Sequence, residues 1–237
     1  MIEWIGFDAD DTLWQNEELY REARDRFRAI LAGHALPPDL DDLVHTIEVG
    51  NLRYFGYGAT SFVMSLIETA VRATDGRMTG TEVGQLVDVA KWMIDAEVRV
   101  YDGVEETLAA LAPAYPLALV TKGDLQHQQA KVARSGLGRY FRTVDIVSDK
   151  TPEVYASLLA RLGVRPESFV MVGNSLRSDI LPVVELGGRA VFVPNPGTWA
   201  HEHVELDPGR DNGFITVASL ADVPEAIASL TRPQAQR

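Results

Sequence analysis

The 237-residue chain contains no cysteine, which rules out disulfides, zinc-thiolate centres and cysteine nucleophiles within it. Positive charge is in short supply: 22 Lys+Arg face 34 Asp+Glu, a net charge of -12. That balance opposes non-specific binding to nucleic acid or to an anionic membrane surface, and an anionic ligand would need a local lysine or cation. No apolar run approaches the ~18 residues that a membrane-spanning helix needs, and Met1-Ile2-Glu3-Trp4 lacks the basic stretch and apolar core of a leader. Internal repeats and low-complexity blocks are missing too, and only residues 231–237, with Pro, Gln and Arg, read as a flexible tail. The expectation is a cytoplasmic protein with neither nucleic-acid nor membrane partners; monomer and homodimer are not distinguished.

What is present is ample apolar content, 46%, enough for one large domain or one domain with a sizeable insertion. Short apolar runs at 2–8, 117–121, 143–147, 169–173 and 190–193, with a further one at 214–217, read as buried strands. Helical patterns alternate with them, as in a parallel sheet covered on both faces. A helix is expected at 103–111 behind Asp102 as N-cap, another at 152–162 with Thr151 as cap and Pro152 at its first position, and a third at 176–186 stopped by Gly187-Gly188.

Residues 14–99 break the alternation. They hold no convincing strand, and they are far too long for an ordinary crossover. Apolar positions recur at helical spacing in Leu19/Ala23/Phe27/Ile30/Leu31, Leu40/Leu43/Val44/Ile47, Phe62/Leu66/Ile67/Ala70 and Val83/Leu86/Val87/Ala90/Ile94. The expected organisation is a Rossmann-like α/β core at 1–13 and 100–230, with helices on both faces of its sheet, and an inserted α-helical cap at 14–99 lying over the strand ends.

Chemistry concentrates where strands end. The first strand runs into Asp8-Ala9-Asp10-Asp11-Thr12, and a turn there brings Asp8 and Asp10 to one pocket, as nucleophile and proton carrier or as holders of a hard cation. The same residues also suit a plain acidic turn in which Asp10 or Asp11 caps the next helix. The second strand delivers Thr121-Lys122-Gly123, the third leads to Lys150, and the fourth delivers Gly173-Asn174-Ser175 and then Asp179. Ligands of open parallel sheets bind at these carboxyl ends, near the point where strand order reverses.

Phe7-Asp8-Ala9-Asp10-Asp11-Thr12-Leu13 resembles the first motif, Asp-x-Asp-x-Thr, of the haloacid dehalogenase-like hydrolase superfamily, in its branch with a helical cap after the first strand. Leu119-Val120-Thr121-Lys122-Gly123, Lys150-Thr151-Pro152 and Val172-Gly173-Asn174-Ser175-Leu176-Arg177-Ser178-Asp179 are similar to the second, third and fourth motifs. The resemblance implies a phosphatase acting on a small phosphorylated metabolite. It makes Asp8 the nucleophile that forms an aspartyl-phosphate, and Asp10 the acid that protonates the leaving alkoxide and then the base that activates water. It has Thr121 bind the phosphoryl oxygens and Lys150 neutralise charge. It implies Mg2+, held by Asp8, the Asp10 carbonyl and Asp179, with Asn174 a further ligand where the family often has Asp. Lys122, Gly123 and Arg53 are candidate substrate contacts, Arg53 through the loop Arg53-Tyr54-Phe55-Gly56-Tyr57-Gly58.

Rival readings are a 2-haloacid dehalogenase, against which Asp10 argues; a phosphomutase with the same residues; a phosphonate hydrolase, for which Lys91 is the only cap lysine; and a phosphometabolite-binding protein without turnover. His201-Glu202-His203 with Glu205 looks superficially like a metal cluster, yet lacks the i,i+4 histidine pair of a helical site.

Overall fold

The computed structural model describes residues 1–206 and 213–231. Among these residues six strands form one parallel sheet: β1 (Trp4–Phe7), β2 (Leu117–Lys122), β3 (Thr143–Val147), β4 (Phe169–Gly173), β5 (Arg189–Phe192) and β6 (Phe214–Thr216), in the order β3-β2-β1-β4-β5-β6. Strand order reverses between β1 and β4, so a crevice opens where Asp8 and Asn174 leave adjacent strands.

Side-chain alternation explains the two covered faces. Leu117 and Leu119 of β2, with Val170 and Val172 of β4, pack beneath α5 (Val104–Leu111) and α9 (Val223–Thr231). Their neighbours Ala118, Val120, Phe169 and Met171 point the other way, against Tyr155 and Leu158 of α7 (Pro152–Leu162) and Val183 of α8 (Leu181–Glu185). The remaining helix of the sheet region is α6 (Leu125–Ser135), which follows β2.

Between β1 and α5 lie α1 (Glu17–Ile30), α2 (Leu40–Phe55), α3 (Ala59–Ala73) and α4 (Gly80–Asp95), packed around a separate apolar cluster that includes Phe27, Leu31, Val44, Phe62, Leu66 and Leu86. The expected stripe of α4 shifts: Val87 is exposed, while Val89 and Met93 turn inward beside Leu86. The linkers to this insert run side by side, with Gln15 N–H on the Arg99 carbonyl (2.9 Å) and Tyr101 N–H on the Leu13 carbonyl (3.0 Å).

Three helix boundaries differ from expectation. Gly103, left-handed at φ 78°, precedes α5, so no side chain caps that helix and Asp102 lies one residue too early. α2 continues through Arg53-Tyr54-Phe55 to Gly56 (φ 69°), which turns half of the expected loop into helix. The third helix is split into a π-helical turn, Leu176–Ile180, and α8. Pro182 brings no N–H to the Ser178 carbonyl four residues back, and the Tyr155 hydroxyl donates to that carbonyl instead (3.1 Å). Thr151 caps α7 as its sequence implies, accepting from Val154 N–H (3.4 Å). Of the expected tail, Thr231 closes α9, and residues 232–237 lie outside the described residues. No described helix is long and apolar enough to cross a membrane.

Candidate active site

The turn after β1 divides its carboxylates. Asp11, in a left-handed conformation (φ 61°), accepts from the N–H groups of Asn16 (2.9 Å) and Glu17 (3.1 Å), so it caps the start of α1. Asp8 and Asp10 remain for the crevice. Asp8 Oδ2 accepts from the Thr12 hydroxyl (2.8 Å), and its other oxygen pairs with Lys150.

Lys150 is buried between two carboxylates, Asp8 and Asp179, with Asp179 Oδ1 at 2.7 Å. Burial alone would strip its proton, but the two carboxylates outweigh burial and hold the ammonium charged, its pKa well above the usual lysine value. The other Asp179 oxygen accepts from Ser175 N–H (2.9 Å). That approach needs Gly173, because a Cβ there would sit 2.3 Å from Asp179 Oδ2. Burial first, then Asp179, raises Asp8 to about 7 against the pull of Lys150. A hard cation beside Asp8 would bring it back toward the ordinary carboxylate range.

Asn174 marks where such a cation fits. With its amide nitrogen inward, it donates to Asp8 Oδ2 (3.2 Å) and the Asp10 carbonyl (3.2 Å). With its oxygen inward, it accepts from the Thr12 hydroxyl (3.0 Å), and its nitrogen donates to Thr198 Oγ1 (2.9 Å). Oxygens from Asp8, Asp10 and Asn174 then converge with only the single Thr12 hydroxyl hydrogen to share, an arrangement a hard cation stabilises. One carboxylate and two neutral oxygens, completed by water, suit a magnesium ion, which keeps several waters of its own. Among the described residues no group of three or more His, Asp or Glu side chains could hold a metal, and the cluster suggested by His201, Glu202, His203 and Glu205 does not form.

Asp10 is gripped by three donors: Trp14 Nε1 (2.6 Å) and Lys131 Nζ (2.5 Å) on Oδ1, and Gln128 Nε2 (2.9 Å) on Oδ2. Burial would raise its pKa, but the charge of Lys131 and these hydrogen bonds lower it on balance. Gln128 Nε2 also reaches Thr121 Oγ1 (2.9 Å) and the Lys122 carbonyl (2.8 Å), so one amide ties the end of β2 to the turn after β1. The hydroxyl hydrogen of buried Thr121 is left to donate elsewhere.

Lys122 turns to Glu202 (2.5 Å) and Ser178 Oγ (2.8 Å), under the ring of Tyr57 from the insert (3.9 Å). Burial would raise Glu202, yet Lys122 and the hydroxyls of Ser175 and Ser178 hold it at about 2. Gly123 lines the same cavity at φ 138°, with its N–H committed to the Val147 carbonyl (3.1 Å). Arg53 stands apart: it is exposed on the last turn of α2, stacked on Tyr54 (4.6 Å), and lines no part of the cavity, whereas Tyr57 from the same stretch does.

The structure thus brings Asp8, Asp10, Thr121, Lys122, Gly123, Lys150, Asn174 and Asp179 to one cavity. Sequence reasoning missed Gln128 and Lys131, and it named Glu202 only within a metal cluster, not as the partner of Lys122. Gln128 and Lys131 stand three apart on α6, a spacing that puts two polar groups on one helix face, and this is the one signal that could have found them.

Residues 2–187 match the family model of haloacid dehalogenase-like hydrolases. A haloacid dehalogenase-like family hydrolase from Xanthomonas campestris is 35% identical, with a TM-score of 0.86 over 97% of this chain and 96% of its own. The glyceraldehyde 3-phosphate phosphatase of Pyrococcus furiosus is 26% identical over 230 residues, 94% of this chain and 93% of its own. A 2-haloacid dehalogenase from Pseudomonas syringae, 22% identical with a TM-score of 0.67 over 97% of this chain and 99% of its own, shares the fold.

Proposed function

This chain belongs to the haloacid dehalogenase-like hydrolase family, and within it we propose a magnesium-dependent phosphatase that cleaves a small phosphorylated metabolite through an aspartyl-phosphate on Asp8. The observation that carries this reading is Asp8 itself, held at the strand-order reversal by Lys150 and Thr12, beside the Asp10 carbonyl and the Asn174 amide. Asp10 separates the reading from a haloacid dehalogenase of the same fold, because the second carboxylate supplies proton transfer to an oxygen leaving group. The relative named glyceraldehyde 3-phosphate phosphatase agrees with it.

Asp8 attacks phosphorus while Lys150 offsets the charge of nucleophile and phosphoryl group, and the Thr121 hydroxyl donates to a phosphoryl oxygen. Asp8, the Asp10 carbonyl and Asn174 would hold the magnesium ion, which supplies charge neutralisation at the phosphoryl oxygens. Asp179, its oxygens committed to Lys150 and Ser175, acts mainly by fixing Lys150. Asp10 carries the proton to the leaving oxygen, its proton affinity raised by the negative charge that arrives with the phosphate. Once the leaving group departs, Lys131 favours the carboxylate form of Asp10, which takes a proton from the water that hydrolyses the phosphoenzyme.

Residues 1–13 and 100–230 serve as the catalytic core, and 14–99 serve as a cap whose Tyr57, Glu17 and Glu48 close the cavity. The cytoplasm, with its magnesium and phosphorylated metabolites, is the fitting compartment.

Acid quenching of the protein during turnover of a phosphomonoester, followed by peptide mass analysis, tests the intermediate. One phosphoryl group is expected on the peptide containing Asp8, and none in Asp8→Asn. Turnover with label on a different residue contradicts the assignment.

A further inference from the structure

The cavity between the strand ends and the insert is one-sided in charge. Eight carboxylates line it against three lysines. Each lysine already faces a carboxylate: Lys122 pairs with Glu202, Lys131 with Asp10, and Lys150 with Asp8 and Asp179. Phosphoryl binding makes use of Lys150 and the cation, and no lysine is left unpaired for a second anion among the described residues.

The wall contributed by the insert repeats this pattern. Glu17 and Glu48 both line the cavity. Their shared partner is Arg24, which reaches Glu17 Oε1 at 2.9 Å and Glu48 Oε2 at 3.3 Å and is not itself a lining residue. Two carboxylates on one guanidinium leave that wall with an excess of acceptor oxygens. The surface is rich in acceptors and poor in cations. It selects a ligand that brings hydrogen-bond donors and no second negative charge.

Resting on the phosphatase reading above, we propose that the substrate is a monophosphate whose leaving group is an uncharged, hydroxyl-bearing molecule, and that Glu17 and Glu48 reject carboxylate-bearing and doubly phosphorylated compounds. The same census disfavours a phosphomutase, which must seat a second phosphate.

Glycerol 3-phosphate and 3-phosphoglycerate form a matched pair, alike in carbon skeleton and differing by a carboxylate. With saturating magnesium, kcat/KM is expected to favour glycerol 3-phosphate by at least about a hundredfold, and Glu48→Gln is expected to narrow that ratio about tenfold. A ratio near one, or a ratio that Glu17→Gln and Glu48→Gln combined leave untouched, overturns the assignment. If neither compound is hydrolysed, the phosphatase reading fails on its own. Calorimetric binding of the same pair to the magnesium-loaded protein then decides the selectivity: tighter binding of glycerol 3-phosphate supports it, and equal or tighter binding of 3-phosphoglycerate overturns it.

Discussion

At the scale of single residues, the crevice is built by assigning neighbouring polar groups to different jobs. Asp11 caps a helix while Asp8 and Asp10, three residues and one residue before it, carry the carboxylates proposed for the chemistry. Asn174 carries the clearest consequence. With its amide oxygen turned inward, it would present a neutral ligand beside Asp8 and the Asp10 carbonyl, and cation affinity grows with ligand charge. Asn174→Asp should therefore bind magnesium about tenfold more tightly by calorimetry, and unchanged or weaker binding would remove Asn174 from the ligand set. Asp8, Thr121 and Lys150 were legible in the sequence because each follows a short apolar strand, and parallel strands deliver their ends to one edge. Gln128, Lys131 and the pairing of Glu202 with Lys122 were not. The first two sit on a helix whose docking face depends on the whole packing, with Leu125 of the same helix exposed. Glu202 comes from an aperiodic stretch rich in proline and glycine, where charge spacing says nothing about direction.

At the scale of elements, short apolar runs located each described strand and helical spacing located the helices between them, whereas boundaries depended on backbone details that the patterns do not encode. The stretch 176–186 carries one apolar rhythm yet forms two pieces. Leu181 N–H reaches the Leu176 carbonyl five residues back, and Pro182 withholds the next donor. Tyr155 on α7 supplies a hydroxyl to the Ser178 carbonyl and so fastens this turn, which also positions Asp179 and Ser178. Tyr155→Phe is expected to cost about 1–2 kcal/mol in urea-induced unfolding, and a loss below about 0.3 kcal/mol would show that the bond contributes nothing to the element. Arg53 illustrates the opposite error: Gly56 is the true end of α2, so one more helical turn carries Arg53 to the surface.

At the scale of the whole molecule, the insert and the sheet enclose the cavity between them, joined by paired linkers at 13–15 and 99–101 and by contacts such as Lys131 to Asn16 (3.0 Å) and Arg134 to the Ile94 carbonyl (2.8 Å). A net charge of -12 repels a phosphate dianion on approach, and salt screens that repulsion. Raising ionic strength from about 10 to about 150 mM at saturating magnesium should increase kcat/KM severalfold; a fall would mean that local positive potential at the crevice governs encounter. The most direct test of the central claim is phosphate release from small monophosphates, measured with magnesium and with EDTA for the native chain and for Asp8→Asn. Magnesium-dependent release that falls at least about a thousandfold in Asp8→Asn is the predicted result. Release that persists in EDTA, or that survives in a folded Asp8→Asn protein, would contradict it.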